Sequence, residues 1–80
     1  MEEIIKKISG KLKGIRVELG YTQEEIAEKI GVHRETFRKY ENEPSILEVG
    51  QLLKILEVYN IDTTYFFNSI YGKMPKEREE

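Results

Sequence analysis

The segment TQEEIAEKIG, residues 22–31, constrains the fold of this chain more than any other feature. Thr22 and Glu25 have the spacing of a capping box, in which each side chain bonds to the backbone of the other residue at the start of a helix. Gly31 supplies the left-handed residue at which a helix ends with little strain. The segment therefore predicts a short helix, residues 23–30. Its buried stripe is Ile26, Ala27 and Ile30.

A second short helix follows a tight turn at Gly31 and Val32. It runs from about His33 to Asn42, because Pro44 forbids its continuation. Its inward positions are Phe37, Tyr40 and Glu41, and its outward positions are Arg34, Glu35, Arg38, Lys39 and Asn42. Two short helices joined by a turn that contains glycine form the helix-turn-helix layout. A major groove about 12 Å wide admits one such helix, so the second helix is a candidate for reading DNA.

Apolar residues on both sides of this pair predict further helices. The first helix spans about residues 3–19, with a break near Gly10 left open because glycine weakens a helix. Its apolar stripe is Ile4, Ile8, Leu12, Ile15 and Leu19. The fourth helix begins at a second capping box, Ser45 with Glu48, and ends near Tyr59. Its apolar residues, which we expect in the core, are Val49, Leu52, Leu53, Ile55 and Leu56.

Asn60 can end the fourth helix, and Asp62 can cap a short fifth one. The fifth helix contains Tyr65, Phe66, Phe67 and Ile70. A chain of 80 residues makes one domain, and we expect an all-α fold, a compact five-helix bundle. The domain is predicted to occupy residues 8–70. An N-terminal extension of helix 1, residues 1–7, precedes it. A charged segment, residues 71–80, follows it, and we expect this segment to be either a disordered tail or a cut point in a longer chain.

Composition argues against several classes of function. The chain has no cysteine and a single histidine, so no metal site is expected. It lacks a glycine-rich phosphate loop and paired carboxylates on an apolar face, and we expect neither enzymatic activity nor a cofactor. No apolar run is long enough to cross a membrane and no secretory signal begins the chain, so a cytoplasmic protein is expected. The net charge of −2 argues against binding nucleic acid by overall charge alone.

The stretch GIRVELGYTQEEIAEKIGVHRETFRKYEN resembles the Cro and lambda-repressor-like family, also called the xenobiotic response element type. The resemblance covers about residues 8–67 and continues through LLKILEVYNIDTTYFF, which is similar to the family's last two helices. The positions that carry it are Arg16, Gly20, Thr22, Gln23, Glu25, Ala27, Gly31, Val32, Phe37, Tyr40 and Glu41. It implies a lambda-repressor-like DNA-binding domain. Such a protein is a sequence-specific transcriptional regulator of prokaryotic or phage type, which inserts the helix 33–42 in the major groove.

The resemblance also implies roles for individual residues. The positions that match base-reading residues are His33, Arg34, Glu35 and Lys39. The positions that match or flank DNA phosphate contacts are Gln23, Thr36, Arg38 and Asn42. Arg34 or Lys39 can donate to guanine, whereas Glu35 can accept from the amino group of cytosine. Because Glu35 and Lys39 lie one turn apart, they can also pair with each other in the free protein.

Arg16 and Glu41 match a structural salt bridge of the family, which ties the first helix to the end of the recognition helix. Two positions depart from the family pattern. His33 stands where Ser or Thr usually caps the recognition helix, and imidazole is a weaker cap than a hydroxyl. Glu43 stands where a turn glycine is common, and it places an acid close to the phosphates.

A regulator of this kind is expected to bind double-stranded DNA as a homodimer, because one recognition helix reads too few base pairs to be selective. The fifth helix and the tail are the candidates for the dimer surface. The alternative is a protein-interaction module, such as an antitoxin or antirepressor, that binds a protein partner through residues 56–71. The apolar residues considered for that surface are Leu56, Tyr65, Phe66 and Tyr71.

Overall fold

The structure, a computed structural model, describes residues 2–72. These residues form five α-helices and one 3-10 helix, joined by short turns. In chain order they are α1 (Glu2–Leu19), α2 (Gln23–Ile30), α3 (Arg34–Asn42), a 3-10 helix (Pro44–Ile46), α4 (Val49–Tyr59) and α5 (Thr63–Tyr71). The predicted all-α, five-helix fold is confirmed. None of the described helices is both long and apolar enough to span a membrane.

The core lies where all five helices meet. Its least exposed side chains are Leu12, Ile26, Phe37, Ile55, Leu56 and Phe66, and each helix contributes at least one of them. Complete burial of a side chain of this size stabilises the folded state by about 1.5–3 kcal/mol relative to exposure. The helices are therefore held mainly by their shared apolar interior.

Helix α1 is continuous through Gly10, where the sequence left a break open. Leu12 is buried and Ile8 packs against the core on the same stripe, so tertiary packing offsets the low helix propensity of glycine. The prediction that Leu19 belongs to the buried stripe is wrong. Leu19 is the last residue of α1 and is exposed, because the chain turns away at Gly20, whose φ is 84°.

Helix α2 has both of the boundaries that the sequence predicts. Thr22 Oγ1 accepts a hydrogen bond from the amide of Glu25 at 3.0 Å, and Glu25 Oε1 accepts one from the amide of Thr22 at 2.8 Å. Gly31 ends the helix with φ 80° and ψ 32°, and its amide donates to the carbonyls of Ala27 and Glu28. The turn between α2 and α3 is therefore short, and it holds the two helices against each other.

The predicted capping box at Ser45 and Glu48 is wrong. Ser45 lies inside the 3-10 helix, where the amide of Leu47 donates to the carbonyl of Pro44 at 2.9 Å. The fixed φ of proline suits the first position of a helical turn, so the chain makes a separate turn before α4 begins. Glu48 is the residue that precedes α4, and its side chain makes no capping hydrogen bond.

Two apolar residues of α4 that were predicted in the core, Val49 and Leu53, are exposed. The buried residues of this helix are Leu52, Ile55, Leu56 and Tyr59. Val49 is the first residue of the helix, beyond the reach of its neighbours, and Leu53 lies at the edge of the buried stripe. Helix α4 is apolar on more than one face, so its pattern does not specify which residues face inward.

The boundary between α4 and α5 follows the sequence signals. Asn60 ends α4 in the left-handed conformation, with φ 59° and ψ 43°, and the Asp62 carboxylate accepts from the amide of Tyr65 at 3.0 Å. Helix α5 continues through Tyr71, the residue at which the predicted tail begins. The rest of that predicted tail, residues 73–80, lies outside the described residues.

Candidate nucleic-acid interface

Helix α3 separates into a buried face and an exposed one. Phe37, Tyr40 and Glu41 are buried, and Phe37 has no exposed surface at all. The exposed side chains, with the residue that precedes the helix, form the recognition face: His33, Arg34, Glu35, Arg38, Lys39 and Asn42. Thr36 is half-buried at its edge. The nine residues of α3 span roughly 13 Å, which is close to the width of a DNA major groove.

The two ends of α3 are held by different means. At its start, His33 takes the extended conformation of a capping residue, with φ −72° and ψ 151°, but its side chain makes no capping hydrogen bond. At its end, the amide of Glu43 donates to the carbonyl of Lys39 at 2.6 Å. The imidazole of His33 is exposed and uses neither nitrogen to cap α3, so both remain available to a ligand.

Glu35 pairs with Arg38 on the recognition face. Arg38 Nη2 lies 2.5 Å and Arg38 Nε 3.0 Å from Glu35 Oε2. The predicted pairing of Glu35 with Lys39 is therefore wrong, because the guanidinium one residue nearer reaches the carboxylate with two donors. Hydrogen bonding to Arg38 lowers the pKa of Glu35, and the same bond raises the pKa of Arg38. Any ligand of the Glu35 carboxylate must compete with this pair.

Glu41 is the centre of a buried polar network under the recognition face. Its Oε2 lies 2.7 Å from Arg16 Nε, and its Oε1 accepts from Arg16 Nη2 at 3.3 Å and from Gln23 Nε2 at 3.0 Å. Arg16 Nη1 also donates to the carbonyl of Tyr21 at 2.8 Å. This network joins α1, α2 and α3, and it contains the Arg16–Glu41 pair that the family resemblance implies.

Gln23, which the resemblance places at a DNA phosphate, is half-buried at the start of α2. Its amide nitrogen is already bonded to Glu41, so the carboxylate of Glu41 fixes the orientation of the Gln23 side chain. Asn42, which directly follows Glu41, is the last residue of α3 and is exposed. The structure thus brings the predicted base-reading residues onto one face and places the predicted phosphate contacts Gln23 and Asn42 at its margins.

The charges around α3 are mixed. Arg34, Arg38 and Lys39 contribute three positive charges, while Glu35 and Glu43 contribute two negative ones. Glu43 is close enough to Arg38 for its charge to help raise the pKa of that residue. Among residues 2–72, no cluster of three or more His, Asp or Glu side chains is arranged to hold a metal ion. The chemistry of this surface is that of hydrogen-bond donors and acceptors on an exposed helix.

Comparison with known families identifies this arrangement. A family model described as helix-turn-helix matches residues 12–66, which is more than half of the chain. The chain belongs to the helix-turn-helix family. The resemblance to Cro and lambda-repressor-like proteins is confirmed. In family terms, α2 and α3 are the two helices of the motif, and Gly31 and Val32 form the turn between them.

Individual relatives match most of this helix-turn-helix domain. The chain is 36% identical over 55 residues to the HTH-type transcriptional regulator ImmR of Bacillus subtilis strain 168, a match covering 69% of this chain and 43% of ImmR. It is 31% identical over 58 residues to Antitoxin HipB of Escherichia coli O6:H1 strain CFT073, covering 72% of this chain and 62% of HipB. Antitoxin HipB of E. coli K12 gives the same identity, with 66% of that relative covered. The chain therefore spans less than two thirds of each relative. No solved structure matches significantly.

The sequence did not predict one contact that holds the end of α3. Ser9 Oγ donates to the backbone carbonyl of Glu41, so α1 holds the end of α3 through Ser9 as well as through Arg16. Ser9 precedes Arg16 by seven residues, or about two turns, which places both side chains on one face of α1. That spacing is the signal that could have identified Ser9.

Proposed function

We propose that this helix-turn-helix domain is a sequence-specific, DNA-binding transcriptional regulator of prokaryotic or phage type, and that the helix 33–42 enters the major groove. The recognition face is the observation that supports this proposal. Its six polar side chains project from a helix whose other face is anchored in the core by Phe37 and Tyr40. A helix that reads bases must be rigidly held and free on its outer side, and α3 meets both conditions.

The proposal assigns distinct roles within this face. His33, Arg34, Glu35 and Lys39 read bases, with Arg34 or Lys39 donating to guanine and Glu35 accepting from cytosine. Four other residues contact phosphate: Arg38 and Asn42 on the recognition face, and Gln23 and Thr36 beside it. Because Arg38 is bonded to Glu35 in the free protein, phosphate binding by Arg38 would release the Glu35 carboxylate for a base.

The same reasoning supports binding as a homodimer. A single α3 covers only a few base pairs, whereas two copies related by two-fold symmetry read half-sites about 34 Å apart. The name of the relative ImmR, a transcriptional regulator, supports a role in transcription.

Selection of bound duplexes from a random pool tests this function. The wild-type chain is expected to enrich a near-palindrome whose two half-sites lie about one helical turn apart. The double variant Arg34→Ala/Lys39→Ala should lose binding to the enriched duplex without a fall in melting temperature, because both side chains are exposed. Lys54→Ala, which removes an exposed charge from α4, is the matched control. Retained binding by the double variant would contradict the role of α3.

A protein-interaction module is the second candidate, because two relatives are named Antitoxin HipB. Within the range 56–71, Leu56 and Phe66 are buried and cannot contact a partner, which corrects the sequence-based choice of these two residues. Tyr65 and Tyr71 are exposed and would have to carry such an interface. Under this alternative, a protein complex should survive Arg34→Ala/Lys39→Ala and be lost in Tyr65→Ser/Tyr71→Ser.

A further inference from the structure

The N-terminal half of α1 lies outside the helix-turn-helix match, which begins at residue 12, yet it touches the end of the recognition helix. The contact is the hydrogen bond from Ser9 Oγ to the carbonyl of Glu41, one residue before α3 ends at Asn42. Helix α1 extends without a break from Glu2, so the residues before Ser9 continue the same helix past this point.

Lys6 lies three residues before Ser9, which is close to one helical turn, and so it faces the same side of α1. Its side chain is exposed. Lys6 and Asn42 line the same surface groove, together with Ser9 and Ser45. Lys7, the next residue, lies on a different side of α1. It lines a separate groove with Lys11 and Ser69, on the side of α1 that faces α5.

The end of α3 is where DNA phosphates are expected if the proposed function holds. The N-terminal residues of a recognition helix contact base edges, and the proposed function assigns Asn42, at the other end of α3, to phosphate. Lysine has a long, flexible stem and an ammonium group that binds phosphate as a point charge. A lysine that shares a groove with Asn42 can therefore reach the same row of phosphates.

We propose that Lys6 is a phosphate-contacting residue, through which the N-terminal extension of α1 lengthens the DNA interface beyond Asn42. The inference rests on the proposed function. Glu43 lies in the same groove and repels phosphate, but its charge also acts on Arg38, which offsets part of that repulsion. Lys6 adds a further positive charge at a place where the charges of α3 nearly cancel.

A structural role for Lys6 makes a different prediction. A cation near the C-terminal end of a helix interacts favourably with the carbonyl groups there, so Lys6 could stabilise α3 without touching DNA. Removing the charge would then lower the melting temperature and leave the salt dependence of DNA binding unchanged. Phosphate contact predicts the reverse, because each phosphate neutralised by the protein contributes about 0.9 to the slope of log K against log salt.

The test compares Lys6→Gln with Lys7→Gln, which removes the same charge from the same turn of α1 on its other side. Affinity for the duplex that the wild-type chain selects from a random pool is measured between 50 and 200 mM salt, beside thermal melts of each protein. Lys6→Gln should bind several-fold more weakly, and the slope should fall by about 0.9 for each copy of the chain on the duplex. Lys7→Gln should match the wild-type slope.

Three results would overturn the inference. One is an unchanged slope in Lys6→Gln, with or without a lower melting temperature, and another is an equal fall in both variants, which would indicate a general effect of charge. The third is a wild-type chain that selects no duplex at all, which would remove the proposed function as well. The first two results leave the proposed function intact, so the two failures are distinguishable.

Discussion

The carboxylate of Glu41 lies 2.7 Å from the guanidinium Nε of Arg16, with both side chains enclosed by the protein. Glu41 is on the face of α3 opposite to the recognition face, and only 2% of it is exposed. Four groups from helices α1 and α2 bond to its side chain or its backbone carbonyl: Arg16 Nε, Arg16 Nη2, Gln23 Nε2 and Ser9 Oγ. The position of the recognition helix therefore depends on a buried charge that is fully paired.

Loss of either charge should be costly. Glu41→Ala leaves the guanidinium of Arg16 buried without its partner, and we expect the free energy of unfolding to fall by about 3–5 kcal/mol. Arg16→Met should have a similar effect for the converse reason. Urea denaturation measures both, with Arg38→Gln on the exposed Glu35 pair as a near-neutral control. If both single variants unfold at the wild-type urea concentration, the pair does not hold α1 to α3.

Two glycines of the chain should respond to alanine in opposite directions. Gly31 has φ 80°, a conformation that alanine adopts only with strain, so Gly31→Ala should lower the free energy of unfolding by about 1–2 kcal/mol. Gly14 is inside α1, and an added Cβ meets no atom within 4 Å. Gly14→Ala should therefore raise the free energy of unfolding by about 1 kcal/mol. Thermal melts of the two variants test this prediction. If the melting temperature changed in the same direction in both, the different roles given to Gly31 and Gly14 would be wrong.

The start of α3 can be improved as a helix, because the His33 side chain makes no capping hydrogen bond. A serine at this position can accept from an amide of the first turn, as Thr22 does in α2. We expect His33→Ser to raise the free energy of unfolding by about 1 kcal/mol while it weakens DNA binding. Thr22→Ala is the control, since it removes an existing cap and should destabilise by a similar amount. A fall in melting temperature on His33→Ser would contradict this view of His33.

The pair between Glu35 and Arg38 should be visible in a pH titration. Hydrogen bonding to Arg38 lowers the pKa of Glu35 in the folded protein. The carboxylate form is thus favoured by folding, so any stability from the pair is present at neutral pH and is lost as pH falls through the lowered pKa. NMR titration of the Glu35 side chain should give a pKa below that of an unperturbed glutamate, and Arg38→Gln should return it to the ordinary range. An identical titration curve in both proteins would show that the pair does not form in solution.

The helix boundaries could be predicted where one residue type decides the backbone. Thr22, Gly31, Asn60 and Asp62 act through their own hydrogen bonds or φ angles, and the helices begin and end where these residues predict. The prediction for Ser45 was wrong because this residue can occupy either a capping position or a 3-10 turn after proline. The surrounding packing decides between the two.

Burial and pairing were harder to predict than boundaries. Helix α4 is apolar around much of its surface, so only the positions of its neighbours decide that Leu52 is buried and Leu53 exposed. Arg38 and Lys39 lie three and four residues after Glu35, so either cation has the spacing to pair with it. Side-chain geometry, which spacing does not specify, selects Arg38. The residues of the recognition face were predictable because the inward positions of α3 are fixed by Phe37 and Tyr40.

The contacts that hold the end of α3 come from residues 25 and 32 positions earlier in the chain. Helices formed so far apart in sequence must meet before α3 is fixed in place, and that meeting carries the entropy cost of closing a long loop. A locally unfolded chain in which α1 is detached lacks the contacts from Ser9 and Arg16 that hold the end of α3. If α3 reads DNA as proposed, that ability therefore requires completed folding, because α1 must be docked before α3 is held in place.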